Sequence, residues 1–150
     1  MATEMEVALM TGSKGLRAAA LAAVLLGPVP AFAAEPVTGN WLTEEGKALV
    51  HIEACGKTIC GKIVKVLKPT PGRPTTDLAN PDPRLRNHPI AGTYILTDFV
   101  DAGSLWKGKI YDPQSGKTYT GKLARNPDGS LKVQGCIAFM CKGPTWQPAR

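Results

Sequence analysis

The chain has 150 residues, with 18 Lys+Arg against 12 Asp+Glu and a net charge of +6. That length is one domain's worth, enough for a workable core and too little for two. A basic chain with no tight basic run and no recognisable binding motif argues against nucleic acid. It leaves anionic lipid headgroups, polyanionic glycans or acidic polymers as charged partners. The plainer alternative is a soluble protein whose lysines (Lys62, Lys65, Lys107, Lys109, Lys117, Lys122 and Lys132) sit on outward strand faces.

The first element is an expected secretory leader. Lys14 to Arg17 is a short basic segment, Leu16 to Leu26 an apolar run, Pro28 and Pro30 break it, and Ala31-Phe32-Ala33 is a small-residue cleavage site. The run is shorter than the ~20 residues a permanent membrane helix needs, so a retained anchor is the lesser reading. No later stretch is apolar enough to span. No Leu-x-x-Cys lipoprotein pattern precedes the cut. Glu4 and Glu6 suit a leader poorly, which makes Met10 a candidate start. Cleavage after Ala33 leaves residues 34–150 as a single exported domain, periplasmic or secreted. The leader holds two basic and two acidic residues, so the mature charge stays at +6.

Beyond the leader the chain reads as short strands divided by turn residues. Trp41-Leu42-Thr43 begins one strand and Glu44-Glu45-Gly46 turns it. Ala48 to Ala54 alternates, with Val50, Ile52 and Ala54 on one face and His51 and Glu53 on the other. Cys60 to Leu67, Thr93 to Phe99, Leu105 to Tyr111, Lys117 to Ala124 and Leu131 to Ile137 follow. Ala138 to Trp146 gives a last strand. Asp112-Pro113-Gln114-Ser115-Gly116 and Asn126-Pro127-Asp128-Gly129 are turns, with Pro and Gly supplying the required φ values. This rhythm predicts an all-β antiparallel meander of about eight strands. Closing it into a small up-and-down barrel removes its edges, with an open sandwich as the alternative.

Lys68 to Pro89 breaks the rhythm. Six prolines (Pro69, Pro71, Pro74, Pro81, Pro83 and Pro89) exclude a central strand. A long connection without structure of its own is functional or disordered. Asp77, Asn80 and Asp82 offer oxygens to calcium, but the EF-hand spacing is absent and Asn80-Pro81-Asp82-Pro83 suits an Asx-turn. No metal site and no cofactor are therefore expected.

The four cysteines come as Cys55-x4-Cys60 and Cys136-x4-Cys141. In an oxidising compartment they read first as disulfides, and four cysteines allow three connectivities. The first spacing fits a bridge across a hairpin turning at Gly56-Lys57-Thr58, worth roughly 2 kcal/mol on the chain-entropy account. The second pair could do the same. A thioredoxin-like site needs C-x-x-C at a helix start, and zinc needs tighter spacing or nearby histidines, of which there are only His51 and His88.

Read in order, several motifs fall into one series: Gly39-Asn40-Trp41, Cys55-Gly56-x3-Cys60-Gly61-Lys62-Ile63-Val64, Asp77-x2-Asn80-Pro81, Pro89-Ile90-x-Gly92, Ile110-Tyr111-Asp112-Pro113, Gly116-Lys117-x-Tyr119 and Thr145-Trp146. This series resembles the bacterial domain-of-unknown-function family 2147 over nearly all of 39–150. The resemblance implies an exported bacterial protein with a lipocalin-like barrel and carries no established activity. The family's end resembles Thr-Trp-x-Arg, whereas here Gln147-Pro148-Ala149 separates Trp146 from Arg150. Gly39-x-Trp41 is also similar to the first strand of lipocalins. By that analogy Trp41 closes one end of the barrel and Arg150 lies over it, a cation–π contact of ~0.5–2 kcal/mol.

A barrel of this size holds packed side chains or one small ligand. Gly61, Gly108, Gly121 and Gly135 fall in or at the ends of strands. If their faces point inward, the missing side chains leave a cavity lined by Trp106, Ile110, Tyr119 and Val133. If not, the glycines permit bulges and bends. Arg84, Arg86 and rim lysines would favour an anionic head group. Catalysis is poorly supported: Ser104, Ser115 and Ser130 sit in turns, none in a Gly-x-Ser-x-Gly context, and neither histidine has an evident partner. Three functions follow in order. The first is a periplasmic binding barrel for a small lipophilic or anionic ligand. The second is an envelope interaction module using the 68–90 loop, and the third a hydrolase.

Overall fold

The computed structural model describes residues 33–150. The expected leader up to Phe32, with its apolar run and the candidate start at Met10, lies outside the described residues. Nine strands form: β1 (Gly39–Leu42), β2 (Ala48–Cys55), β3 (Thr58–Val66), β4 (Tyr94–Asp101), β5 (Trp106–Asp112), β6 (Lys117–Arg125), β7 (Leu131–Ile137), β8 (Met140–Lys142) and β9 (Thr145–Pro148). Each pairs antiparallel with its chain neighbour from β1 to β8. β9 then joins β7 to β1 through Leu131↔Trp146 and Trp41↔Pro148. The sheet is closed, which removes the free edges that an open meander would expose.

Nine strands fill eight positions in this ring. β8 and β9 share one edge of β7, as two halves of the expected last strand. The break falls at Gly143-Pro144, where the chain presses on β7. A Cβ on Gly143 would stand 2.0 Å from the Val133 carbonyl oxygen. The Val133 amide donates to the Pro144 carbonyl at 3.0 Å, so the pairing continues across the break.

Period-2 alternation places the core. Val50 and Ile52 are buried, while His51 and Glu53 between and after them lie outward. The alternation ends at Ala54, which is exposed where β2 leaves the barrel for its hairpin. On β4 one extra residue sits between Thr97 and Val100 relative to β5, and Asp98 there takes a φ of 57°. Such a bulge re-aims the side chains that follow it, and here Phe99 points inward with no exposed surface.

Strand direction sorts the connections. Those between β1 and β2, β3 and β4, β5 and β6, and β7 and β8 share one end, the mouth; those between β2 and β3, β4 and β5, and β6 and β7 share the floor. The Pro-rich segment is not structureless. Thr76 bridges Pro89, the Ile90 amide donates to the Thr75 carbonyl at 2.9 Å, and Pro83–Leu85 forms a 3-10 turn. A Cβ on Gly116 would stand 1.9 Å from the Ala79 carbonyl oxygen, so this loop lies directly on the β5–β6 turn. No helix among the described residues is long and apolar enough to cross a membrane.

Candidate ligand-binding site

The floor of the barrel is filled and the mouth is hollow, and a row of glycines marks the change. Gly108 on β5, Gly121 on β6 and Gly135 on β7 are direct cross-strand partners. The Phe99 ring lies across the first two: a Cβ would stand 2.6 Å from Phe99 Cδ2 at Gly108 and 2.6 Å from Phe99 Cζ at Gly121. At Gly61 the space belongs to Leu96, whose Cδ1 lies 2.9 Å from the same construction. Three of the four strand glycines therefore admit neighbouring core side chains instead of leaving a void. At Gly135 the nearest atom is Tyr119 Cβ at 3.6 Å, an ordinary contact. That glycine faces the cavity.

The cavity measures about 1120 Å³. Ile63, Ile95, Ile110, Tyr119, Val133 and Trp146 form its wall, and Leu78, Ala79 and Ile90 of the Pro-rich loop lie over it. At the rim stand Lys47, Lys65, Lys68, Arg73 and Lys142. Lys47 pairs with Glu45 at 2.8 Å, Lys68 donates to the Glu45 carbonyl at 2.6 Å, and Arg73 donates to Gln114 at 2.7 Å. Among the described residues Lys65 and Lys142 have no salt-bridge partner.

The loop is fastened by a buried polar cluster. Asp77 is 2 % exposed; its carboxylate accepts from the Tyr111 hydroxyl at 2.7 Å and from the Asn80 side-chain amide at 2.6 Å. Burial, followed by the Asp77 hydrogen bond and charge, holds the Tyr111 pKa well above the ordinary phenol value, so Tyr111 stays a neutral donor. Asn80 in turn accepts from the Asp82 amide at 2.9 Å, the expected Asx-turn. Asp82 accepts from the Arg84 amide at 3.0 Å and caps the 3-10 turn. The oxygens considered for calcium are thus engaged by groups of the loop and by Tyr111 of β5.

Of the residues proposed from sequence to contact ligand, Ile110, Tyr119 and Val133 line the cavity together. Trp106, Arg84 and Arg86 do not. Trp106 shares a face with Ile110 but lies at the floor end of β5, where its indole N–H donates to the Glu35 carbonyl at 2.8 Å. Arg84 is 89 % exposed and ion-paired to Asp82 at 2.7 Å. Arg86 donates to the Asn80 carbonyl at 2.8 Å, on the outside of the loop. The cysteines pair locally, Cys55 with Cys60 and Cys136 with Cys141, with Cα separations of 5.8 and 4.0 Å. Glu53 lies near the first bridge, but disulfide sulfurs offer no thiolate to a metal.

The floor differs from the lipocalin analogy in one residue. Trp41 is buried, and the guanidinium over its ring, 5.0 Å from the centroid, belongs to Arg125 at the end of β6. Arg150 is exposed at the chain end. A strap before β1 completes this closure, with four successive residues held by four different groups. Asp101 accepts from the Ala34 amide at 3.0 Å, and Trp106 donates to Glu35. Arg125 donates to the Pro36 carbonyl at 3.3 Å, and Trp41 donates to the Val37 carbonyl at 2.8 Å.

A closed eight-position barrel with a strapped, tryptophan-plugged floor and a hollow upper half is a lipocalin-like architecture. Residues 39–148 match the family described as "Uncharacterized protein conserved in bacteria (DUF2147)", and the chain belongs to that family. It is similar in structure to protein HP1028 from Helicobacter pylori, described as belonging to the lipocalin family. The TM-score is 0.66 at 25% identity, over 77% of this chain and 84% of that one. No curated protein matches the sequence.

Proposed function

We propose that this protein is an exported barrel that binds one small, partly apolar ligand. Its apolar part enters the upper half of the barrel and its polar or anionic end stays at the rim. The cavity of about 1120 Å³ carries this reading: its wall is largely apolar and its open end holds Lys65 and Lys142, which have no salt-bridge partner among the described residues. Concave apolar volume with a few placed polar groups is the usual small-molecule site. Resemblance to a barrel described as a lipocalin supports it, since barrels of this size can hold a ligand. Export is supported by the leader pattern and by two disulfides, which persist in oxidising compartments.

The decisive experiment is native mass spectrometry of the protein purified from its host, paired with titration of a fluorescent fatty-acid analogue. A bound small molecule, or saturable uptake of the analogue with one site per chain, is the expected result. A barrel that leaves its host empty and takes up no apolar or anionic probe overturns the reading. N-terminal sequencing of the same sample tests cleavage after Ala33.

A further inference from the structure

Among the described residues the two most exposed large apolar side chains, Phe139 and Ile137, sit together at the hairpin tip between β7 and β8. Ile137 is 70 % exposed, Phe139 92 % and Met140 54 %. Isolated apolar side chains on a surface need no explanation, but three clustered at a protruding turn do. Ile137 and Met140 are cross-strand partners, Ala138 turns the chain with a φ of 53°, and the Cys136–Cys141 bridge ties the base of the turn. The tip is therefore a short stapled prong, held out from the barrel with its aromatic ring in solvent.

Its position identifies what it meets. The prong lies at the mouth end, beside the cavity, because β7 ends and β8 starts there. Lys142 follows two residues after Met140, Lys65 on the opposite side of the mouth has no salt-bridge partner among the described residues, and Lys117 is exposed at the start of β6 at the same end. A convex apolar tip with Lys142 and Lys117 on the neighbouring strands and Lys65 across the mouth matches the interface of an anionic bilayer. Phenylalanine and aliphatic side chains partition into the acyl boundary while lysines stay with the headgroups. A protein pocket would accept the apolar tip but gives no reason for lysines at the same end of the barrel.

We infer that the Ile137-Ala138-Phe139-Met140 hairpin is a membrane-docking prong that seats the barrel mouth on an anionic phospholipid surface. The docking needs no ligand in the cavity. If the barrel also binds an amphiphile, the prong places the mouth where such a molecule leaves or joins a bilayer; that consequence alone rests on the carrier reading.

The test is co-sedimentation of the oxidised full protein with vesicles of phosphatidylethanolamine and phosphatidylglycerol, against vesicles of phosphatidylcholine alone. Binding to the anionic vesicles is expected to weaken as salt is raised. Phe139→Ala is expected to reduce the partition constant by about tenfold or more, the scale of withdrawing a buried aromatic side chain. Lys65→Gln with Lys142→Gln should reduce it by several fold and flatten the salt dependence. Phe139 is exposed, so thermal unfolding of that variant should match the parent, which separates lost docking from lost fold. Equal binding of Phe139→Ala and the parent, or no binding to anionic vesicles, overturns the inference. So does a concentration-dependent dimer that Phe139→Ala abolishes without any vesicle binding, which would make the tip a subunit contact. Probe uptake measured in parallel without vesicles reports on the cavity independently.

Discussion

Replacing Gly121 and Gly135 one at a time by alanine separates the packed floor from the hollow mouth. The two are cross-strand partners, so chain position and local strand geometry are nearly matched. At Gly121 the added Cβ would stand 2.6 Å from both Phe99 Cζ and Ile110 Cγ1, about 1 Å inside the ~3.5–4.0 Å optimum for carbon pairs. Phe99 cannot retreat across the row, because its ring is already as close to the Cβ position of Gly108. Overpacking of this kind costs about 1–3 kcal/mol. Against it stands the roughly 0.5–1 kcal/mol that alanine gains over glycine inside a strand. A net loss of about 1–2 kcal/mol is expected for Gly121→Ala. At Gly135 the nearest atom is 3.6 Å away, so only the gain applies and Gly135→Ala should be more stable by up to about 1 kcal/mol. Urea unfolding with the disulfides intact reads both. With a slope of ~1–3 kcal/mol/M the two midpoints should separate by about 1 M, on either side of the parent. A Gly121→Ala midpoint at or above the parent, or a fall of both variants together, would refute the division of the barrel at this row.

Three further results are expected. Tyr111→Phe removes a hydrogen bond to a buried carboxylate and should cost about 1.5–3 kcal/mol near neutral pH. The folded pKa of Tyr111 is raised, so its stabilising effect is complete below the ordinary phenol value of ~10 and is lost as pH rises toward the folded value. The stability gap between parent and Tyr111→Phe should therefore narrow above pH ~10; a gap that stays constant to high pH would place the hydroxyl elsewhere. Arg125→Ala, which removes both the stack on Trp41 and the bond to Pro36, should lower stability by about 1–2 kcal/mol, while Arg150→Ala stays within ~0.5 kcal/mol. Equal effects in thermal unfolding would return the closure to Arg150. Replacing Cys136 and Cys141 by serine should cost roughly 2 kcal/mol, the entropy of freeing so short a loop, and leave the barrel folded by circular dichroism; a loss of fold would make this bridge a structural requirement.

The strands, their order and the closed barrel were legible because each rests on local chemistry. Alternation around Val50 and Ile52 marks an inward face, and Asp112-Pro113 and Asn126-Pro127 mark turns. The cysteine pairs sit where hairpins bring them together. Height along the barrel axis was not legible. Trp106 and Ile110 share a face of β5, yet one belongs to the floor and the other to the cavity, and alternation does not distinguish them. The use of the glycines was hidden for a related reason. Whether an absent Cβ leaves a void depends on Phe99, which reaches it from β4 through the bulge at Asp98. Arg125 was missed in favour of Arg150 because both are basic residues at floor ends of the chain path, and only ring closure decides which guanidinium lies over Trp41. For Asp77 and Asn80 the turn chemistry was readable, but the Tyr111 partner 34 residues away was not.

Antiparallel order around a closed ring has a consequence for how this family member can change. The floor is held at each connection: the strap by Asp101, Trp106, Arg125 and Trp41, the β2–β3 hairpin by the Cys55–Cys60 bridge, the β4–β5 turn by Asp101 accepting from the Gly103 amide at 2.8 Å, and the β6–β7 turn by Asp128 accepting from the Ser130 amide at 2.9 Å. The mouth instead carries the Pro-rich cover and the apolar prong, both on connections whose alteration leaves the floor contacts intact, together with Lys65 and Lys142 at strand ends. Substitutions at the floor should therefore act first on stability, and substitutions at the mouth first on what the barrel meets. The Asp77–Tyr111 bond is the exception, since it joins a mouth loop to a barrel strand through a buried carboxylate. There a change in binding and a change in stability should appear together.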